Sequence, residues 1–358
     1  MCIRTYFFAQ ESINRDQSAQ LAGHSNYVTF HRLQDKRIAK DSSNISDAVK
    51  NVIMSSWRHS SKEQYETYLK QWELFCKSRG VNHQKSSLSI GLDFLHALHL
   101  RGLSYSAINT ARSALSSFML LGSNNVEFGS HKLVSRFMKG IFNKKPSLPR
   151  YSNIYDPNVV LDYLTRYRLN KNLSLKMLTL KTVTLLAFLT VQRLQTLHVL
   201  SVDSFSFTPD YVQIIVQDKI KTSRPNFHIE PIVFRKYNVN KRLCVYRHIR
   251  SYLNRTRLIR GSEDQFFVSY LKPHSKVTRQ TLSRWIKCIL CRAGINISQF
   301  CPHSTRASAA SKARIFVPLD KVLKAGGWSG DSSFQKHYNL PSLSASVQDA
   351  ILDNVHTV

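Results

Sequence analysis

The chain has 358 residues, which at about 150 per domain allows two domains and enough apolar surface for real cores. Apolar residues make up 42% and aromatics 11%, excluding a disordered or low-complexity chain. Lys and Arg number 51 against 22 Asp and Glu, a formal charge of +29. A surface of that sign repels itself unless a polyanion neutralises it, and nucleic acid is the partner that suits it. An anionic membrane is the alternative, but no block of consecutive Lys/Arg adjoins an apolar helix. The longest apolar stretch, Val183 to Val191, is interrupted by Thr184 and Thr190 and has the length of a core helix, so no membrane span is expected. Met1 to Phe8 show neither a sustained apolar run nor a small-residue cleavage site, and six scattered cysteines fit free thiols. An intracellular protein is expected.

Residues 1–43 are polar and weakly patterned, and are expected to form a flexible arm. From 44 to 142 the pattern is helical throughout. Ser60-Ser61-Lys62-Glu63 resembles a capping box and is followed by Tyr65, Tyr68, Leu69, Trp72, Phe75 and Cys76 at helical spacing. Further helices are predicted near Ser89 to Leu100, ending at Gly102; from Ser104 until Gly122; and over about Ser130 to Phe142. Residues 143–155, with Lys144, Lys145, Pro146 and Pro149, are expected to be a basic linker.

The second domain, 156–358, opens with Asp156 as N-cap and Pro157 at the first helical position. A long helix is predicted from Ser174 to about Leu197. Tyr211 to Gln217 and His228 to Phe234 look like strands flanking the basic turn Asp218 to Pro225. Helices return at about Leu243–Leu258, Arg279–Ala293, His303–Ile315 and Leu319–Ala325. Val347, Ile351, Leu352 and Val355 suggest a short amphipathic helix at the end. The expected fold is mainly α with a small β-sheet: an all-α domain followed by an α+β domain.

No phosphate-binding glycine loop, zinc-protease motif or nucleophile elbow is present, and acidic residues are too sparse for a two-metal nuclease. Cys288 and Cys291 with Cys301 and His303 are better read as ordinary cysteines in a helical pattern than as a zinc site, so neither metal nor cofactor is expected. His303-Ser304-Thr305-Arg306 places an imidazole and a guanidinium three residues apart, suited to one phosphate. Gly326-Gly327-Trp328 offers an indole N–H beside flexible backbone, and Tyr338 follows ten residues later. Arg193 stands at the end of an apolar helix, where a charge is unusual.

In this order, Arg193, a lysine in the hairpin turn, His303-x-x-Arg306, Trp328 and Tyr338 resemble the tyrosine recombinase (phage integrase) family. The resemblance implies a core-binding (SAM-like) DNA-binding domain over 44–142. Within the family, Ser56-Trp57-Arg58, Lys221-Thr222-Ser223-Arg224-Pro225 and Gln195-Thr196-Leu197 look like recombinases of eukaryotic mobile elements (Crypton and DIRS-like). Thr196 departs from the wider family, which commonly has Glu or Asp there.

The resemblance implies that Tyr338 attacks a phosphodiester to give a 3′-phosphotyrosyl bond, without metal or ATP. Arg193 and Arg306 would hold the nonbridging oxygens, His303 and Trp328 would donate to the same phosphate, and Lys221 would protonate the leaving 5′ oxygen, with Lys219 as its rival. Duplex DNA is the implied partner. Candidate phosphate contacts are Lys219, Arg224, Arg112, Lys132, Arg136, Lys139, Lys144, Lys145, Arg279 and Arg284, with Lys287 and Arg292 beside them. Two domains joined by a strap suggest a clamp, and relatives exchange C-terminal tails within a tetramer. A nuclear site of action is expected. Two alternatives stay open: a recombinase-derived DNA-binding protein that no longer cuts, and a type IB-like topoisomerase.

Overall fold

Short polar residues ahead of apolar-periodic runs set most helix starts, because their side chains take up backbone N–H groups that the first turn leaves unpaired. The computed structural model describes residues 45–122, 124–146, 154–167, 170–225, 229–328 and 330–337, and separates into the units Met1–Pro149 and Arg150–Val358. The first contains α1 (Asp47–Met54), α2 (His59–Ser78), α3 (Leu88–Leu100), α4 (Tyr105–Ser116) and α5 (Lys132–Lys144). Ser46, Ser87, Ser104 and His131 cap α1, α3, α4 and α5 through their side chains. Trp72 forms the centre of this unit's core, fully buried edge-on to Phe94 at 5.4 Å, with its indole N–H donating to His83 O at 3.0 Å.

Two expectations for this unit need correction. The Ser60/Glu63 capping box is not formed: α2 starts at His59 with Arg58 at the N-cap, and Trp57 packs edge-on against Tyr65 at 5.6 Å to fix the chain's entry. The helix opened by Ser104 stops at Ser116, well before Gly122. Ser117 Oγ donates back to Ala114 O, Ser116 Oγ accepts the Gly129 N–H, and the chain turns into a two-residue ladder, β1 (Leu120–Leu121) with β2 (Val126–Glu127).

The second unit begins with α6 (Pro157–Thr165), whose N-cap Asp156 accepts Asn158 N–H at 2.9 Å. At its centre is α7 (Leu175–Leu189), buried continuously from Leu178 to Phe188. Four threonines sit in or at the end of this buried helix because Thr179, Thr182, Thr184 and Thr190 each return their hydroxyl to the carbonyl four residues earlier, at 2.7–2.8 Å. Around it pack α9 (Val245–Thr256), α10 (Arg279–Arg292) and α11 (Ser304–Phe316). The sheet is antiparallel in the order β3 (Phe205–Phe207), β4 (Tyr211–Ile214), β5 (Ile232–Arg235), with Val212 opposite Phe234 and Ile214 opposite Ile232. Both predicted strands are shorter than expected, and β3 adds a strand that the sequence pattern did not suggest. The long helix predicted to Leu197 is broken. It ends at Leu189 and resumes as α8 (Leu194–His198). The chain then closes through α12 (Leu319–Gly326) and α13 (Asp331–His337). No described helix is long and apolar enough to cross a membrane.

Candidate active site

The break between α7 and α8 sets up the site. Val191 has φ of 53°, the left-handed region that a β-branched residue occupies at a cost of about 1–2 kcal/mol. Its side chain is only 7% exposed and packs in a small cluster with Ala310, Val322, Trp328 and Phe334, which offsets the strain. Turning the backbone here makes Arg193 the N-cap of α8, half-buried, rather than the last residue of an apolar helix. Its carbonyl receives the Thr196 N–H at 2.8 Å, while its guanidinium makes no hydrogen bond or ion pair among the described residues. The corner therefore presents a cation that its own helix does not neutralise.

The second guanidinium lies much deeper. Arg306, on the first turn of α11, is 2% exposed, donates from Nη2 to Gly326 O at 2.9 Å and stacks over the Trp328 ring at 3.8 Å. That ring meets Phe334 edge-on at 5.2 Å. The two glycines ahead of the tryptophan have separate reasons. A Cβ on Gly326 would come within 1.8 Å of the indole, and Gly327 ends α12 with φ of 66°. His303 does not share the burial of Arg306: it is the exposed N-cap residue of α11. The start of α11 is anchored by Tyr155, whose hydroxyl donates to Thr305 Oγ1 at 2.9 Å and whose phenol is pushed well above its usual range by burial.

The basic hairpin reaches both parts. Lys221 N–H donates to Gln195 Oε1 on α8 at 3.1 Å, and Ser223 Oγ accepts Ile220 N–H at 2.9 Å to hold the turn. A Cβ on Gly327 would lie 3.6 Å from Ile229 Cδ1 and 3.9 Å from Thr222 Oγ1, so the hairpin lies against the turn that carries Trp328. Lys324 pairs with Glu230 at 2.6 Å across the same contact. Lys219, Lys221 and Arg224 are exposed.

The structure thus brings Arg193, the Lys221 hairpin, Arg306 and Trp328 into one connected region, with His303 on the same helix as Arg306. Tyr338 and the predicted tail helix lie outside the described residues, as does the arm 1–43. Lys132, Arg136 and Lys139 are exposed on α5 at spacings that share one face, with Lys144 and Lys145 exposed at its end. Arg112, on α4, is half-buried beside Gly129. Arg279, Arg284, Lys287 and Arg292 are exposed along α10. Cys288 and Cys291 also lie on α10, and no group of three or more potential metal ligands occurs among the described residues.

Sequence reasoning gave no role to Gln192 or Arg260, and named Gln195 only within the Gln195-Thr196-Leu197 resemblance. Arg260 is 8% exposed and serves the fold: it donates to the carbonyls of Gln265 and Phe266. Gln192 carries no charge, and preceding Arg193 was its only signal.

Residues 165–342, within the second unit, match the model of the phage integrase family. The fold is similar to that of the Tn1549 transposon integrase in complex with transposon right end DNA, with 14% identity, a TM-score of 0.54, and 92% of this chain and 99% of that one covered. It is also similar to XerH site-specific recombinase bound to difH substrate, with 16% identity, a TM-score of 0.52, and coverage of 77% and 76%. At such identities the likeness is one of fold. No curated protein matches the chain.

Proposed function

We propose that the protein is a site-specific DNA recombinase or integrase that cuts and rejoins duplex DNA through a covalent 3′-phosphotyrosyl intermediate. One observation carries the reading: the elements bearing Arg193, Lys221, Arg306 and Trp328 touch one another through Gln195, Gly326 and the Gly327 turn. Two guanidiniums, a lysine and an indole within one region suit a phosphoryl centre whose charge grows in the transition state. The phenolic oxygen of Tyr338 bonds to phosphorus as the bond to the 5′ oxygen breaks. The tyrosine proton passes to His303, and the 5′ oxygen takes a proton from Lys221. Religation reverses both transfers, and the retained ester bond removes any need for metal or ATP.

On this reading 44–142 is the core-binding domain, 143–155 the linker and 156–358 the catalytic domain. The exposed bases of α5 and α10, with Lys219 and Arg224, contact phosphates. The tail after Tyr338 joins subunits into a tetramer, and the Crypton- and DIRS-like features suit an origin in a mobile element and action in the nucleus. Thr196, neutral and 2% exposed, favours a second reading, a DNA-binding protein that no longer cuts.

A nicked duplex that traps cleavage, incubated without metal or ATP, separates the two. The recombinase gives a denaturation-resistant adduct that vanishes in Tyr338→Phe. Binding without adduct supports the second reading, and adduct persisting in Tyr338→Phe rules out that nucleophile.

A further inference from the structure

Gln192 precedes Arg193 and is 3% exposed. Its backbone N–H donates to Thr190 Oγ1 at 3.2 Å, and that hydroxyl donates to Leu186 O at 2.7 Å, tying the corner to the end of α7. Its side chain reaches in two directions: Nε2 donates to Ala325 O, and Oε1 accepts from Thr196 Oγ1 at 3.3 Å. The Ala325 carbonyl can only accept, so nitrogen must face it, and the amide's oxygen is then left for the Thr196 hydroxyl. Ala325 is followed by Gly326, whose carbonyl receives Arg306. One buried amide, with its donor and acceptor both used, therefore joins the corner that carries Arg193 to the turn that carries Arg306 and Trp328.

We propose that Gln192 is a positioning residue that locks these two guanidinium-bearing elements together, with Thr196 fixing which way its amide faces. The consequence for catalysis rests on the recombinase reading; the connection itself does not. A neutral group is required because both ends are needed. A carboxylate at 192 would turn lone pairs toward Ala325 O. A carboxylate at 196 would face Gln192 Oε1 and favour flipping the amide away from Ala325.

The test pairs adduct formation on the nicked duplex with hydrogen exchange at the amides of Gly327 and Trp328, which donate to Lys324 O and Leu323 O. Gln192→Leu should slow adduct formation about a hundredfold, the scale of an ångström-sized misplacement. It should also speed exchange at 327 and 328 while leaving strand 211–214 unchanged. Thr196→Ser should behave as wild type and Thr196→Asp should be slower. Gln192→Glu supplies the readout that loss of packing would not move. Its rate relative to wild type should rise as pH falls, because a protonated carboxyl regains the donor. A ratio independent of pH, unchanged exchange in Gln192→Leu, or adduct formation within twofold of wild type in that variant would each overturn the proposal. If the wild type forms no adduct, the recombinase reading fails, and exchange in Gln192→Leu alone decides whether the connection exists.

Discussion

Two apolar cores of very different extent hold the second unit. The large one surrounds α7 and takes in the sheet, α9 and α10, with Leu186, Ile249, Tyr252, Phe266 and Ile289 all essentially inaccessible. The small one comprises the buried residues Val191, Ala310, Val322, Trp328 and Phe334, and the site's indole is one of them. The difference is instructive: the candidate-site groups Arg306 and Trp328 rest on the smaller core and on a few buried hydrogen bonds. Their geometry can open locally while the large core stays folded.

Substitutions in the two cores should therefore separate stability from activity. Phe266 is fully buried, with ring centroids 4.3 Å from Phe205 and 5.1 Å from Tyr252, so Phe266→Ala should lower unfolding free energy by about 4 kcal/mol, read from the denaturant midpoint. Phe334→Ala also removes a buried ring, but from the small cluster. It should shift the global midpoint by less than half as much and slow adduct formation more. Equal midpoint shifts would mean that the two cores unfold as one.

The large core also carries a pH signature. Burial holds His248 down to about 4 against an ordinary 6.5, although its hydrogen bond to the Cys244 carbonyl works the other way. Between those values the unfolded chain binds a proton that the folded chain refuses. Stability should thus fall as pH drops from 6.5 to 4, by up to about 3 kcal/mol. Lys181, lowered from 10.5 to about 8 by burial and the nearby Arg242, acts in the same sense at alkaline pH: stability should rise between pH 8 and 10.5. His248→Phe should flatten the acid slope, and Lys181→Met the alkaline one while raising the midpoint at pH 7.

Smaller effects belong to the site's edge. Val191→Gly relieves left-handed strain and removes packing together, so stability should stay within about 1 kcal/mol of wild type while adduct formation slows. Glu230→Gln removes an exposed pair with Lys324 and should cost under about 0.5 kcal/mol in thermal unfolding.

Much of this was legible in the sequence where the signal is local. Ser104, Ser174 and Asp156 mark helix starts because a capping oxygen acts within three residues. The mainly helical fold with a small sheet followed from such signals and from the apolar spacing. The turn at Val191 gave none: no glycine marks it, and the positive φ is enforced by a cluster assembled from residues more than a hundred positions away. For the same reason Thr190 to Leu197 read as continuous helix. The ordered series of Arg193, Lys221, His303, Arg306 and Trp328 was singled out by its resemblance to the tyrosine recombinase family, since each residue alone is a weak signal. Gln192, and the contact of Gln195 with the Lys221 turn, were not legible, since a neutral amide acquires meaning only from what folding puts beside it. Phe205 to Phe207 was too short to show a period of two.

On the recombinase reading, Arg193 and Arg306 neutralise charge on one scissile phosphate. A nicked duplex carrying a methylphosphonate there lacks a charged nonbridging oxygen, and compares directly with the normal phosphate. Arg193→Ala and Arg306→Ala should abolish adduct formation on the phosphate and recover most of the wild-type rate on the methylphosphonate. The same loss on both substrates would mean that the two guanidiniums do not act on that charge.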